Sequence, residues 1–187
     1  MDNGESSYRR FCFEKDESGL VEIIRDYKDG LIFFLRSFVG NILIAEELAE
    51  DTFVLLGTKK PKDKGYGSFK TWLYTIGRNI AIDYLRKNKR NNDICLDDTA
   101  ELIASEEDLE CSYIRLEQNI IIHRALNKLK PEYQQVIWLI YFEEMTDREC
   151  SVIMKKSVHN IDTLVYRARK ALAKELEREG FDYYEDI

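Results

Sequence analysis

Apolar residues in this chain recur at three- and four-residue intervals over long stretches, and only two prolines, Pro61 and Pro131, interrupt them. That spacing gathers apolar side chains on one face of a helix. No convincing run of alternating apolar residues competes with it, so strands are not expected. Helices with one apolar face bury it against one another, and the fold class that follows is all-α. At 187 residues there is room for one domain or two small ones.

The periodicity predicts a helix from Leu20 to about Tyr27, a second over Leu31 to Val39 and a third over Ala45 to Leu56, with Asn41 as a break. Gly57 to Gly67 reads as a loop, rich in Lys, Gly and Pro, and Ser68 suits the N-cap of the next helix. On that helix Phe69, Leu73, Ile76, Ile80 and Tyr84 form one stripe, and Trp72, Asn79, Asp83 and Arg86 run along its edge. Two readings stay open there: a packing helix with Trp72 in the core, or a surface where aromatic faces stack on bases while cations meet phosphate.

Residues 91–116 lose the apolar period and gain like charge, as a linker does. A second bundle starts near Glu117, with Pro131 at the first position of a helix. Thr146 and Glu149 form a capping box, and Ser157 caps a last long helix. The expected organisation is two small helical bundles joined by an acidic linker. Residues 1–92 form the first, 93–116 the linker, and 117–187 the second with its C-terminal tail. A bundle of about 60 residues buries only about 60% of its unfolded surface, so the second should be marginal alone.

Thr146–Met154 and Ser157–Leu176 have the length and spacing of a helix-turn-helix. Val158, Ile161, Val165, Ala168, Leu172 and Leu176 point inward on the last helix. The opposite face holds His159, Asn160, Thr163, Tyr166, Arg167, Lys170 and Lys174. Asn and Thr can meet base edges in a major groove, and Arg and Lys can meet phosphate or guanine. A solvated polar face on a packing helix is the plainer alternative.

The net charge of −7 argues against a protein that coats DNA unaided. Its distribution is uneven: residues 68–90 and the last helix are basic, and residues 93–117 are acidic. No stretch approaches the roughly 18 apolar residues of a membrane helix, and the N-terminus lacks a secretory signal, so membrane insertion is not expected and a cytoplasmic location is. Cys12, Cys95, Cys111 and Cys150 contain no CxxC pair and read as free thiols. A zinc site from Cys111, His123 and Cys150 matches no standard spacing, so no metal and no cofactor are expected. With only His123 and His159, and no paired nucleophile, an enzyme is not expected either.

Ala45-Glu-Glu-Leu-Ala-Glu-Asp-Thr-Phe53, Phe69-Lys-Thr-Trp-Leu-Tyr74, Arg78-Asn-Ile-Ala-Ile-Asp-Tyr-Leu-Arg86 and Tyr166-Arg-Ala-Arg-Lys170 together resemble a bacterial RNA polymerase sigma factor of the extracytoplasmic-function type. The resemblance runs from about residue 12 to 177. It implies a non-enzymatic subunit that binds core RNA polymerase and directs promoter recognition and transcription initiation. An independent helix-turn-helix regulator is the alternative, in which the melting-type helix and acidic connector would have no use.

Residue by residue, the resemblance implies docking on the polymerase β′ coiled coil through Glu46, Glu47, Leu48, Glu50, Asp51 and Phe53. It implies opening of the promoter −10 element by Trp72, Tyr74, Arg78, Asn79, Asp83, Arg86 and Lys87, with the loop Lys62 to Gly67 at a pocket for an extruded base. It implies −35 recognition by His159, Asn160, Thr163, Tyr166, Arg167 and Lys170, contact of the second bundle with the β flap, and an anti-sigma protein as partner. The acidic connector would thread a polymerase channel, its carboxylates standing in for a phosphate backbone. Some positions depart from the pattern: Lys155 and Lys156 replace the usual Gly and apolar residue of the turn. Ser151 replaces a small apolar residue, and Asp162 and Leu164 lie on the flanks of the recognition helix.

Overall fold

The computed structural model describes residues 3–61, 67–90 and 121–179, and every regular element among them is helical. The acidic connector, the tail from residue 180 and loop residues 62–66 lie outside the described residues. The elements are α1 (Asn3–Arg9), a π turn (Arg10–Glu14), α2 (Ser18–Val39), α3 (Ile42–Lys59) and α4 (Phe69–Arg90). They continue with α5 (residues 121–127), α6 (Pro131–Ile137) running into a second π turn (Trp138–Phe142), α7 (Asp147–Met154) and α8 (Val158–Arg178).

Local chemistry sets the ends. Gly40 closes α2 in the left-handed region at φ 70° and returns its N–H to Arg36 O. Asn41 then caps α3, its Oδ1 accepting from the N–H of Leu43 and of Ile44. Ser68 Oγ accepts from Thr71 N as expected of a cap. Pro131 stands at the start of α6, the Thr146–Glu149 capping box is complete, and Ser157 accepts from Asn160 N. Two sequence expectations change. The helices expected over 20–27 and 31–39 are one, because Asp29 and Gly30 keep helical dihedrals and nothing removes the ladder hydrogen bonds. The N-terminal α1 and its π turn were not anticipated.

In the first bundle α2 packs on α3 and α4, and α1 lies against α2 and α4. Ile23, Leu31, Phe34, Leu35, Leu56 and Leu73 are almost wholly buried there. Each stabilises the fold by about 1.5–3 kcal/mol as area removed from water. In the second bundle α6 and α7 pack on α8 around Val136, Leu139, Ile153, Ile161 and Ala168.

The bundles are docked on each other, α2 against α6 and α4 against α7, and their apolar residues form one continuous core cluster. Trp138 makes the seam: its ring packs 4.9 Å from Phe33, and its indole N–H donates to Gly30 O at 3.0 Å. A bundle too small to be stable by itself gains the missing burial this way.

Candidate nucleic-acid interface

Helix α4 is flanked on two sides, and that decides which of its residues reach solvent. Trp72 is 3% exposed, packed between Tyr8 of α1 (ring centroids 5.1 Å apart) and Phe69 (5.6 Å). Tyr74 is wholly buried against Phe34 of α2 at 5.3 Å. Neither ring offers a face to a base in this conformation, although both were expected along the melting surface. The physical reason is α1, which covers the edge of α4 that a single-sided stripe would leave open. The missed signal is Tyr8, in a segment too short for its period to be read. The Tyr74 hydroxyl is buried beside Glu143; burial and then the Glu143 carboxylate raise its pKa well above the ordinary tyrosine value.

The rest of the edge is polar and accessible. Arg78 is half-buried, which lowers the pKa of its guanidinium. Asn79 follows one position on, also half-buried. Asp83 and Arg86 pair at 3.4 Å with side chains 65% and 76% exposed, and Lys87 is exposed. An exposed pair of this kind is worth under about 1 kcal/mol, so Arg86 is free to leave Asp83 for a phosphate. Lys70, counted on sequence with the basic patch, is instead committed to Glu143 at 2.6 Å.

Helices α7 and α8 form the expected helix-turn-helix. Lys155 closes α7 in the left-handed region, φ 54° and ψ 45°, so this turn keeps the backbone that usually asks for glycine. Ile161, Leu164, Ala168 and Leu176 are buried, and Leu164 is therefore a core residue rather than a flank of the reading face. Val158 faces solvent, 47% exposed, although its position suggested the inward stripe. His159, Asn160, Tyr166, Arg167 and Lys170 are exposed and Asp162 stands beside them. Thr163 is half-buried and its hydroxyl donates to His159 O at 3.0 Å.

On α3, Glu46, Glu47, Glu50 and Asp51 are exposed, whereas Leu48 and Phe53 belong to the core at 3% and 6% exposure. Those two were expected on the docking surface; their period, which matches Ala45, Ala49 and Thr52, turns them toward the core. Phe53 still walls one side of a groove of about 400 Å³ between α2 and α3, where Val54 is 59% exposed. A second groove, about 650 Å³, was not foreseen. It opens between α5, the π turn after α6, and α8, and Tyr141, Phe142 and Tyr166 stand exposed along it.

Cys150 is buried, which pushes its thiol pKa up to about 12, and His123 stacks on Phe33 at 5.5 Å. Cys111 lies outside the described residues, and among those described no three His, Cys, Asp or Glu side chains cluster as metal ligands. Among the described residues, no helix is long and apolar enough to cross a membrane.

The two bundles correspond to two family models. The sigma-70 region 2 family model matches residues 23–91 and the sigma-70 region 4 model residues 119–172, together about two thirds of the chain. The chain belongs to the sigma-70 family, the non-enzymatic subunits that direct promoter recognition with RNA polymerase. Its relatives place it with the extracytoplasmic-function type. It is 29% identical to the ECF RNA polymerase sigma factor SigW of Bacillus subtilis, over 86% of this chain and 90% of that one. It is 26% identical to RNA polymerase sigma factor YlaC of the same organism, over 88% and 95%. Two solved structures share the fold. One is the sigma factor RpoE in complex with the anti-sigma factor NepR from Bartonella quintana (TM-score 0.65, 24% identity, 83% of this chain and 95% of that one). The other is CnrH in complex with the cytosolic domain of CnrY (TM-score 0.60, 18%, 94% and 96%).

Proposed function

We propose that this sigma factor opens promoter DNA through the polar edge of α4, Arg78, Asn79, Asp83, Arg86 and Lys87, rather than through Trp72 and Tyr74. The observation that carries this reading is the contrast within one helix. The aromatics are buried, whereas Arg78 and Asn79 are half-exposed and Asp83, Arg86 and Lys87 further along are exposed. Unpairing and extruding a base costs a few kcal/mol. Hydrogen bonds from Asn79 to an unpaired base edge, with Arg86 and Lys87 on the flanking phosphates, supply part of it, and core polymerase holds the strand in place. The −35 element is read by His159, Asn160, Thr163, Arg167 and Lys170 of α8.

Residues 1–92 and 117–187 act as separate functional units once on polymerase, with 93–116 between them in the RNA channel. The acidic face of α3, Glu46, Glu47, Glu50 and Asp51, with the groove beside Phe53, takes the β′ coiled coil. The groove beside Tyr141, Phe142 and Tyr166 takes the β flap, so Tyr166 serves docking as well as the DNA side. An anti-sigma protein is a further partner, by analogy with the complexes in which RpoE and CnrH were solved, and the site of action is the cytoplasm. Each DNA surface is weak alone; carrying both on one polymerase raises their effective concentration.

The test is co-purification with core polymerase followed by transcription from genomic fragments. The reading predicts new start sites that depend on the chain. Tight sequence-specific binding of duplex DNA by the free chain, with no transcription on adding polymerase, would show an independent regulator instead.

A further inference from the structure

One carboxylate stands among the polar and basic side chains on the outer face of α8. Asp162 is exposed in the second turn of that helix, at the edge of the face that carries His159, Thr163, Tyr166 and Lys170. On a helix the side chains beside a residue lie three and four positions away. For Asp162 these are Val158, His159, Val165 and Tyr166, so no lysine or arginine of its own helix is placed to pair with it. Among the described residues its carboxylate has neither a hydrogen bond nor an ion pair. Its neighbours toward either end of the helix carry apolar surface and are accessible, Val158 at 47% and Tyr166 at 69% exposure.

What such a carboxylate does on a duplex depends on the base it meets. Phosphates repel it, and so do guanine O6 and N7 and thymine O4, which are acceptors like itself. The N4 amino group of cytosine is a donor, and an aspartate accepts from it in the major groove; the amino group of adenine stands next to the acceptor N7. The recognition helix of a helix-turn-helix meets base edges with its N-terminal residues, and Asp162 lies within the first two turns. With α8 in the groove, Val158 and Tyr166 flank Asp162 and keep water from it. A polar group that has lost its water and found no donor costs more than a made hydrogen bond gains, so the wrong base is penalised harder than the right one is rewarded.

We propose that Asp162 selects cytosine at one position of the −35 element, accepting a hydrogen bond from the N4 amino group and turning away guanine and thymine. This rests on the reading of α8 as the helix that enters the −35 element. Adenine is the second choice at that position. Asp162 adds nothing to phosphate binding; it acts on which sequence is chosen, at a site where this chain departs from the pattern of its family.

The test uses the full-length chain bound to core polymerase and a pool of promoter duplexes in which the −35 element is randomised and the −10 element of a chain-dependent promoter is kept. Sequencing the bound fraction gives the preference at each position. The wild type is expected to favour cytosine over guanine and thymine at one position by about ten-fold or more, as one good base-edge contact does. Asp162→Asn is expected to move that position to adenine, whose N6 and N7 suit an amide, and Asp162→Ala to flatten it, with the other positions unchanged. The site is exposed, so helix content and polymerase binding should hold in both variants. A cytosine preference that survives both variants, or variants that raise or lower binding evenly across all sequences, overturns the proposal. If the wild type shows no preference anywhere in the randomised element, α8 does not read it and the role of Asp162 falls with that reading. Preferences at other positions, with none for cytosine or none that depends on Asp162, overturn the role of Asp162 alone.

Discussion

Gly30 sits inside α2 with helical dihedrals, so replacing it by alanine has two effects of opposite sign. Helix propensity favours the substitution by about 1 kcal/mol, all of it within the first bundle. Against it, a Cβ at position 30 would lie 2.1 Å from Glu143 Oε1 and 2.6 Å from the Tyr74 hydroxyl, well inside contact distance. Glu143 must withdraw and loosen its bridge to Lys70, a charge-assisted bond worth about 1.5–3 kcal/mol where it is largely sheltered. Overpacking adds about 1–3 kcal/mol when nothing yields. Docking of the bundles should weaken by about 2–4 kcal/mol, at least a ten-fold shift toward the open form at about 1.4 kcal/mol per decade. The readout is hydrogen exchange at the Trp138 indole N–H, which is tied to Gly30 O only when the bundles are docked. Gly30→Ala should speed that exchange at least about ten-fold while the helical signal holds. Unchanged protection at Trp138 would refute the seam as described.

The same seam has a pH dependence. Burial, then the charge of Arg36, lowers the His123 pKa below 6.5, so docking favours neutral imidazole. That contribution is complete above 6.5 and fades as pH falls through 6.5 toward the lower folded value. The protection of the Trp138 N–H, taken relative to the intrinsic exchange rate at each pH, should therefore fall from about pH 7.5 to about pH 5.5, and His123→Phe, which keeps the stack, should flatten that profile. At Glu149, burial opposes ionisation, but hydrogen bonds from Thr146, Ser68 and Thr71 outweigh it and hold the pKa below the usual 4.5. Its stabilisation is present above 4.5 and is lost as pH falls through the lower folded value. Glu149→Ala should cost about 2–4 kcal/mol in urea titrations at neutral pH and weaken the acid dependence. Phe142→Ala with Tyr141→Ala should weaken polymerase binding by about ten-fold or more, as loss of aromatic anchors does, without unfolding the chain; unimpaired binding would remove the β-flap assignment.

Much of the architecture was legible because its signals are local. Helix periods, Asn41, Ser68, Pro131, the Thr146–Glu149 box and Ser157 each act within one turn, and each appears where its chemistry put it. What was not legible depends on neighbours distant in sequence. The burial of Trp72 requires Tyr8, sixty-four residues earlier, and that of Tyr74 requires Phe34. Leu48 and Phe53 were placed on the docking surface by the family resemblance alone, and their period with Ala45, Ala49 and Thr52 turns them into the core. Lys70 looked like part of a phosphate-binding patch, but its partner Glu143 comes from the other bundle. Leu164 shows the reverse: a residue out of place on a DNA-reading face is in place once the helix is turned into its core.

Permanganate reactivity of unpaired thymines in a polymerase open complex measures strand opening directly. With polymerase affinity matched, Asn79→Ala combined with Arg86→Ala should abolish most of the reactivity at a target promoter, while Trp72→Phe leaves it near the wild-type level. Undiminished reactivity in the double variant, or an equal loss from Trp72→Phe in a chain of wild-type stability, would contradict the assignment of promoter opening to the polar edge of α4.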